Sequence, residues 1–149
     1  MQSFGDTTET LQAVRNLAAD IAASAEETEE QRAIPARIVD RLREAGIFRM
    51  LVPKHYGGDA LSEGQACDVV EALATADAAA AWTAMVALGF NVALSRFPRA
   101  TVDKLYADGP DVPVRGALAP LGHGVVTNGG FAVSGRWPFA PIMPTRWQI

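Results

Sequence analysis

The hydrophobic pattern of this chain changes character about three quarters of the way along. Up to residue 109, apolar side chains recur every three or four residues, which is typical of amphipathic helices. The first stripe comprises Leu11, Val14, Leu17, Ala18, Ile21 and Ala25, the second Ile38, Val39, Leu42 and Ala45, and the third Val69, Val70, Leu73 and Ala74. From residue 111 onward, β-branched and aromatic residues alternate with small ones instead. The pattern therefore predicts about five helices followed by β-structure.

Residues 78–95 contain no charged side chain. Such a stretch is long enough to raise the question of a membrane span, but its many alanines and the internal Asn91 favour a buried core helix instead. At helical spacing, one side of this helix carries Trp82, Met85, Val86, Gly89 and Phe90. Asp77 directly precedes it and is well placed as the N-cap, just as Ser62 and Gln65 form a capping-box pattern before the preceding helix.

Residues 118–141 hold the β signals. Asn128 and Gly129 form the dipeptide most typical of a two-residue hairpin turn, because both residues tolerate positive φ. Phe131 and Val133 alternate with small residues beyond it, as in a half-buried strand. Trp137 and Phe139 are two residues apart, so in an extended chain their rings share a face. The two rings can pack into a core or line a planar cofactor, and the pattern alone leaves both open.

A turn-rich segment at residues 108–110 (Asp-Gly-Pro) separates the two patterns. We therefore expect a helical N-terminal domain over residues 1–110 and an incomplete β domain over residues 111–149. The fold class is α+β.

Charge and composition exclude several classes of protein. The 149 residues are 49% hydrophobic and 20% charged, as in ordinary globular domains. The net charge of −4 is uneven, with −6 over residues 1–109 and +2 over residues 110–149. The sequence contains no stripe of basic residues of the kind that indicates nucleic-acid binding. The more basic β segment is compatible with an anionic cofactor.

Cysteine and histidine content is low. Cys67 is the only cysteine, so no intrachain disulfide is possible, and the separated His55 and His123 disfavour a zinc site. The N-terminus is polar and acidic and lacks the pattern of a signal peptide. We expect a cytoplasmic protein without membrane association.

Two separated motifs resemble one family. SGRWPF at residues 134–139, after GGF at residues 129–131, resembles the middle-domain segment of the acyl-CoA dehydrogenase superfamily, and within it the two-component flavin-dependent monooxygenases. EAGIFRMLVPKHYGG at residues 44–58 resembles the superfamily's N-terminal signature. The resemblance implies an all-helical N-terminal domain followed by the first strands of an antiparallel β-barrel-like middle domain. The family's C-terminal four-helix bundle would be absent from these 149 residues.

The resemblance also implies flavin chemistry. Either a dehydrogenase would pass a hydride from an acyl-CoA to flavin, or a monooxygenase would use reduced flavin to hydroxylate an aromatic ring. The cofactor would be FAD or FMN. A monooxygenase would receive its reduced flavin from a flavin reductase, whereas a dehydrogenase would pass its electrons to an electron-transfer partner. The full-length family implies a homo-oligomer. A different class stays open: a non-catalytic module that acts in binding or assembly, or a part that needs a second polypeptide to complete its site.

The family motif assigns roles by position, although it assigns no catalytic residue here. Cofactor contacts are expected from Leu118, Pro120, Gly122, Trp137, Phe139, Ala140 and Pro141. Substrate contacts are expected from Trp82 and His123, whose simpler interpretations are core packing and a turn histidine facing water. Pro141 occupies a position where the family has a hydroxyl that bonds the flavin. Because proline offers neither a hydroxyl nor an N–H, the resemblance is weakest there.

Overall fold

The computed structural model of the protein describes residues 6–116 and 119–137. Within them the chain forms six α-helices, two short 3-10 turns and one β-hairpin. The helices are α1 (Thr8–Ala23), α2 (Ala25–Gln31), α3 (Ala36–Glu44), α4 (Glu63–Ala76), α5 (Ala78–Leu94) and α6 (Arg99–Leu105), the 3-10 turns are Ile47–Arg49 and Lys54–Tyr56, and the strands are β1 (Gly122–Thr127) and β2 (Gly130–Gly135). The predicted order of helices before β-structure is confirmed.

The core lies where α4 packs against α1 and α5. Its most deeply buried members, at 0% exposure, include Leu42, Phe48, Val69, Leu73 and Ala84. Two helix starts are fixed as the sequence predicts. The Ser62 side chain accepts from the Gln65 backbone N–H in a complete capping box, and the Asp77 carboxylate accepts from the Ala80 N–H at 2.7 Å.

Helix α5 contributes to the core, as predicted, but it is buried on one face only, so the expectation of burial on all sides is wrong. The buried face consists of small or medium residues: Ala80, Ala81, Thr83, Ala84, Ala87, Leu88 and Asn91. Alanine lets the neighbouring α4 approach closely, and the bulky side chains then have room only on the opposite side. Trp82 is accordingly 62% exposed, which rules out the core-packing interpretation of this residue within the described chain.

The connection between α3 and α4 makes a compact loop under α5. Gly46 ends α3 in the left-handed conformation with φ +82°, as predicted. The carbonyl of Val52 accepts a hydrogen bond from the Ala60 N–H at 3.0 Å, which folds the loop back on itself. Gly58 lies against that carbonyl, where an added Cβ would be 2.1 Å from the Val52 oxygen. Only glycine fits at this position.

Strands β1 and β2 form the predicted antiparallel hairpin, whose register runs from Gly122 opposite Gly135 to Thr127 opposite Gly130. The turn is the predicted Asn128–Gly129 pair, with Gly129 at φ +93°. The expectation of a half-buried strand is wrong for the described residues. Phe131 is 74% exposed, and every other β2 side chain is exposed as well. The reason is that, within residues 6–116 and 119–137, the two strands pair only with each other and no further layer covers them.

None of the described helices is both long enough and apolar enough to cross a membrane.

Candidate functional site

The exposed side of α5 forms a continuous apolar surface. We call its members Trp82, Met85, Val86, Gly89 and Phe90 the α5 stripe. Trp82 and Met85 are 62% and 44% exposed, and no charged residue interrupts the stripe. Contiguous exposed apolar surface of this kind marks a place where a ligand or another protein surface binds.

A groove of about 680 Å³ opens beside Trp82, between the end of α2 and the start of α5. Its charged lining residues are Glu29, Arg32 and Asp77, and the Asp77 carboxylate is engaged as the N-cap of α5. Arg32 ends α2 in the left-handed conformation with φ +51°. The groove falls within the size range of sites that hold small ligands, with mostly apolar walls and a few polar groups.

The segment that leads from the helices to the hairpin crosses the other end of the α5 stripe. We call residues 111–116 the linker. A Cβ added at Gly116 would lie 2.3 Å from Cε1 of Phe90, so the linker backbone packs directly against that ring. The linker thus covers the C-terminal end of the stripe and leaves the end with Trp82 open.

Two of the predicted cofactor contacts meet at the open end of the hairpin. The Trp137 indole packs against the paired glycines Gly122 and Gly135, where an added Cβ would lie 2.4 Å and 2.7 Å from its ring atoms. Trp137 remains 36% exposed, and the neighbouring Pro120 is exposed as well. The result is an accessible indole that packs on the two glycines at the open end of the hairpin, where no side chain intervenes.

The other predicted site residues are not brought into this contact. His123 is exposed on β1, where it pairs in register with Ser134. Trp82 lines a groove whose described walls come from residues 25–34 and 77–83 and include none of the hairpin. Leu118, Phe139, Ala140 and Pro141 lie outside the described residues, so their expected roles stay predictions.

Sequence reasoning missed the residues that α2 contributes to the groove. Thr28 and Arg32 lie in or next to an acidic run that local composition suggests is merely solvated. Only the packing of the α2–α3 connection against the start of α5 brings them beside Trp82. No cluster of three potential metal ligands occurs among residues 6–116 and 119–137.

Arg49 is the second feature that the sequence did not single out. Its guanidinium contacts the carboxylates of Asp111, at 3.1 Å, and Asp59, at 3.4 Å. Desolvation of the guanidinium acts to lower its pKa, but the hydrogen bond and charge of Asp111, supported by Asp59, outweigh it and raise the pKa of Arg49 above its ordinary value. Arg49 is therefore a fixed cation at the point where the linker begins.

Comparison with known proteins identifies the family. Residues 6–107 match the family described as acyl-CoA dehydrogenase, N-terminal domain. The chain belongs to this family. Among curated relatives in the acyl-CoA dehydrogenase fold, an indole-3-acetate monooxygenase of Acinetobacter baumannii is 36% identical over 119 residues, which cover 79% of this chain and 30% of the relative. The flavin-dependent monooxygenase oxygenase subunit HsaA of Mycobacterium tuberculosis is 28% identical over 89% of this chain and 34% of its own.

Solved structures of family members agree. The structure of XiaF from Streptomyces in complex with FADH2 and glycerol matches with a TM-score of 0.86 and 26% identity, over 89% of this chain and 34% of that one. The crystal structure of HsaA from Mycobacterium tuberculosis matches with a TM-score of 0.82 and 28% identity, over 89% and 35%. The predicted resemblance, including its monooxygenase branch, is confirmed. The chain spans about a third of the length of the curated relatives it matches.

Proposed function

We propose that this chain forms the substrate-facing N-terminal part of a flavin-dependent monooxygenase that hydroxylates an aromatic compound. The observation that carries the proposal is the exposed α5 stripe with its groove beside Trp82. Family membership supplies the chemistry, and the stripe supplies a surface on which an aromatic substrate can bind.

The groove suits an aromatic ring better than a thioester with a long polar carrier. Stacked or edge-on aromatic pairs contribute about 0.5–1.5 kcal/mol beyond the area they bury, and the exposed Trp82 indole offers such a partner. Glu29 and Arg32 stand on the same wall and can orient hydroxyl or carboxylate substituents.

The names of relatives support an aromatic substrate. They act on indole-3-acetate, on resorcinol and on p-hydroxyphenylacetate, all of which are aromatic compounds carrying a hydroxyl or acid group. We therefore favour the hydroxylase over the dehydrogenase for this chain. The substrate we propose is a small phenol or aryl acid.

The residues at the open end of the hairpin fit a flavin. An isoalloxazine is flat, and the accessible Trp137 indole beside the glycine pair offers a flat apolar wall without side chains in the way. Pro120 and Gly122 would shape the loop, with Leu118, Phe139, Ala140 and Pro141 as further proposed contacts, and His123 would face substrate. When bound, reduced flavin would supply the activation of O₂ that hydroxylation requires.

We propose FAD rather than FMN, because a resorcinol hydroxylase relative is FADH(2)-dependent and the matching XiaF structure contains FADH2. Relatives described as oxygenase subunits or components indicate a separate reductase as partner. The broad apolar surface left open on α5 and on both faces of the hairpin favours the packing of further polypeptide against it, including that of a homo-oligomer. We place the protein in the cytoplasm.

Titrations of the 149-residue chain with flavins and with an aryl acid test this proposal. FAD and FMN are each added in oxidised and reduced form, and indole-3-acetate is added separately, with binding followed by fluorescence. Binding at micromolar Kd corresponds to about −8 kcal/mol. We expect Trp137→Ala to weaken flavin binding and Trp82→Ala to weaken binding of the aryl acid. Val92→Ala is the control, because this exposed residue lies near the C-terminal end of α5 and outside the groove, and we expect it to change neither binding. Absence of both bindings in the unmodified chain would overturn the proposal.

A further inference from the structure

We propose that Arg49 is a positioning residue that clamps the linker onto the helical domain and so sets where the hairpin with Trp137 stands. The functional part of this inference rests on the proposed flavin site, whereas the clamp itself does not.

Arg49 is the only described side chain that ion-pairs with the linker. Its Nη1 donates to Asp111 Oδ2 at 3.1 Å across 62 residues of sequence. The three side chains of Arg49, Asp59 and Asp111 are 34%, 28% and 25% exposed, so the pairs are screened less than the other ion pairs of the described chain. Gly46 makes room for the guanidinium, since an added Cβ there would lie 3.0 Å from Arg49 Nη2.

Asp111 depends on this contact. Its second oxygen, Oδ1, is buried and has no hydrogen-bond partner among the described residues. If the guanidinium were removed, this partly buried carboxylate and its buried Oδ1 would have no compensating partner among the described residues, which disfavours the docked position. Arg49 therefore decides whether the linker start stays docked.

The remainder of the linker is held by apolar contacts at both ends. Val112 packs against the small cluster of Val52, Val102 and Tyr106. At the far end the Gly116 backbone lies on the Phe90 ring. The clamp thus orders a segment that runs from the compact α3–α4 loop to the α5 stripe and that precedes Pro120 and the start of β1 in the sequence.

The two acidic partners of Arg49 provide a matched pair of variants. Asp111→Asn removes the negative charge of the linker, whereas Asp59→Asn removes a negative charge of similar exposure that lies within the helical domain. Trypsin reports release of the linker, because Arg115 is exposed within it and cleavage there needs a locally opened chain. Mass spectrometry identifies the fragment that begins at residue 116.

We expect Asp111→Asn to speed cleavage after Arg115 by at least about fivefold, with cleavage after Arg15 in α1 unchanged. Asp59→Asn should cleave close to the wild-type rate. Equal rates in Asp111→Asn and Asp59→Asn would overturn the clamp, as would equal acceleration at Arg15 and Arg115.

The flavin titration then separates the clamp from the proposed function. If the clamp positions the hairpin for flavin, Asp111→Asn raises the flavin Kd by at least about fivefold and Asp59→Asn does not. Faster cleavage with an unchanged Kd would overturn the positioning role. Absence of flavin binding in the unmodified chain would instead count against the proposed function, while the trypsin comparison would still decide whether the clamp exists.

Discussion

The side-chain amide of Asn91 in α5 donates to the backbone carbonyl of Phe48 at 2.8 Å, across 43 residues of sequence. Its oxygen accepts from the Tyr106 hydroxyl at 3.1 Å. All three residues are buried. One polar side chain thereby ties α5 to the α3–α4 loop and to the end of α6, which explains why an amide is tolerated inside an apolar helix.

Asn91→Leu should destabilise the fold by about 2–4 kcal/mol, since it leaves the Phe48 carbonyl and the Tyr106 hydroxyl buried without partners. Urea unfolding followed by circular dichroism measures the change. Ser95→Ala is the control, because the exposed hydroxyl of this C-cap residue of α5 only donates to the nearby Val92 carbonyl. A leucine variant as stable as the control would show that the amide contributes no net stability.

Tyr106 should make stability fall at alkaline pH. Burial, reinforced by Tyr56, raises the pKa of Tyr106 above its ordinary value. Its neutral form therefore stabilises the fold fully below the unfolded-state pKa of about 10, and that contribution is lost as pH rises through the higher folded-state pKa. The Tyr106→Phe variant has no phenol to ionise at this position. The free energy of unfolding of the wild type, measured relative to that of the variant, should therefore fall as the pH rises from 8 to 11.5. A constant difference between the two would contradict the assignment.

Gly58→Ala should cost about 1–3 kcal/mol or more, because the new Cβ would lie 2.1 Å from the Val52 oxygen. Gly64→Ala is the matched control. It lies in the first turn of α4 with nothing within 4 Å of its Cβ position, and alanine is favoured in helices by up to about 1 kcal/mol. Thermal unfolding of the two variants should move in opposite directions.

Trp82→Ser should leave stability within about 0.5 kcal/mol of wild type, because the indole is 62% exposed. Leu73→Ala in the core should instead cost about 2–5 kcal/mol. The serine variant should also bind less of the dye ANS, which adsorbs to exposed apolar surface. Strong destabilisation by serine would mean that the indole is covered in solution.

Several local features follow from the sequence because their causes are local. The capping box at Ser62, the N-cap at Asp77, the left-handed Gly46 and the Asn128–Gly129 turn depend on backbone dihedrals and on neighbours a few residues away. The two family motifs likewise sufficed to predict the family, and with it the flavin-dependent relatives.

Orientation and long-range pairing were decided only by the tertiary structure. An uninterrupted apolar pattern in α5 cannot tell which side packs inward. The alanines do so because α4 approaches them closely, and this leaves Trp82 outside. The alternation of large and small residues in the hairpin likewise predicts one buried face, but no part of the described chain packs against that face. Asp111 finds Arg49 across 62 residues because the α3–α4 loop folds back beneath the linker, and no local signal specifies that contact.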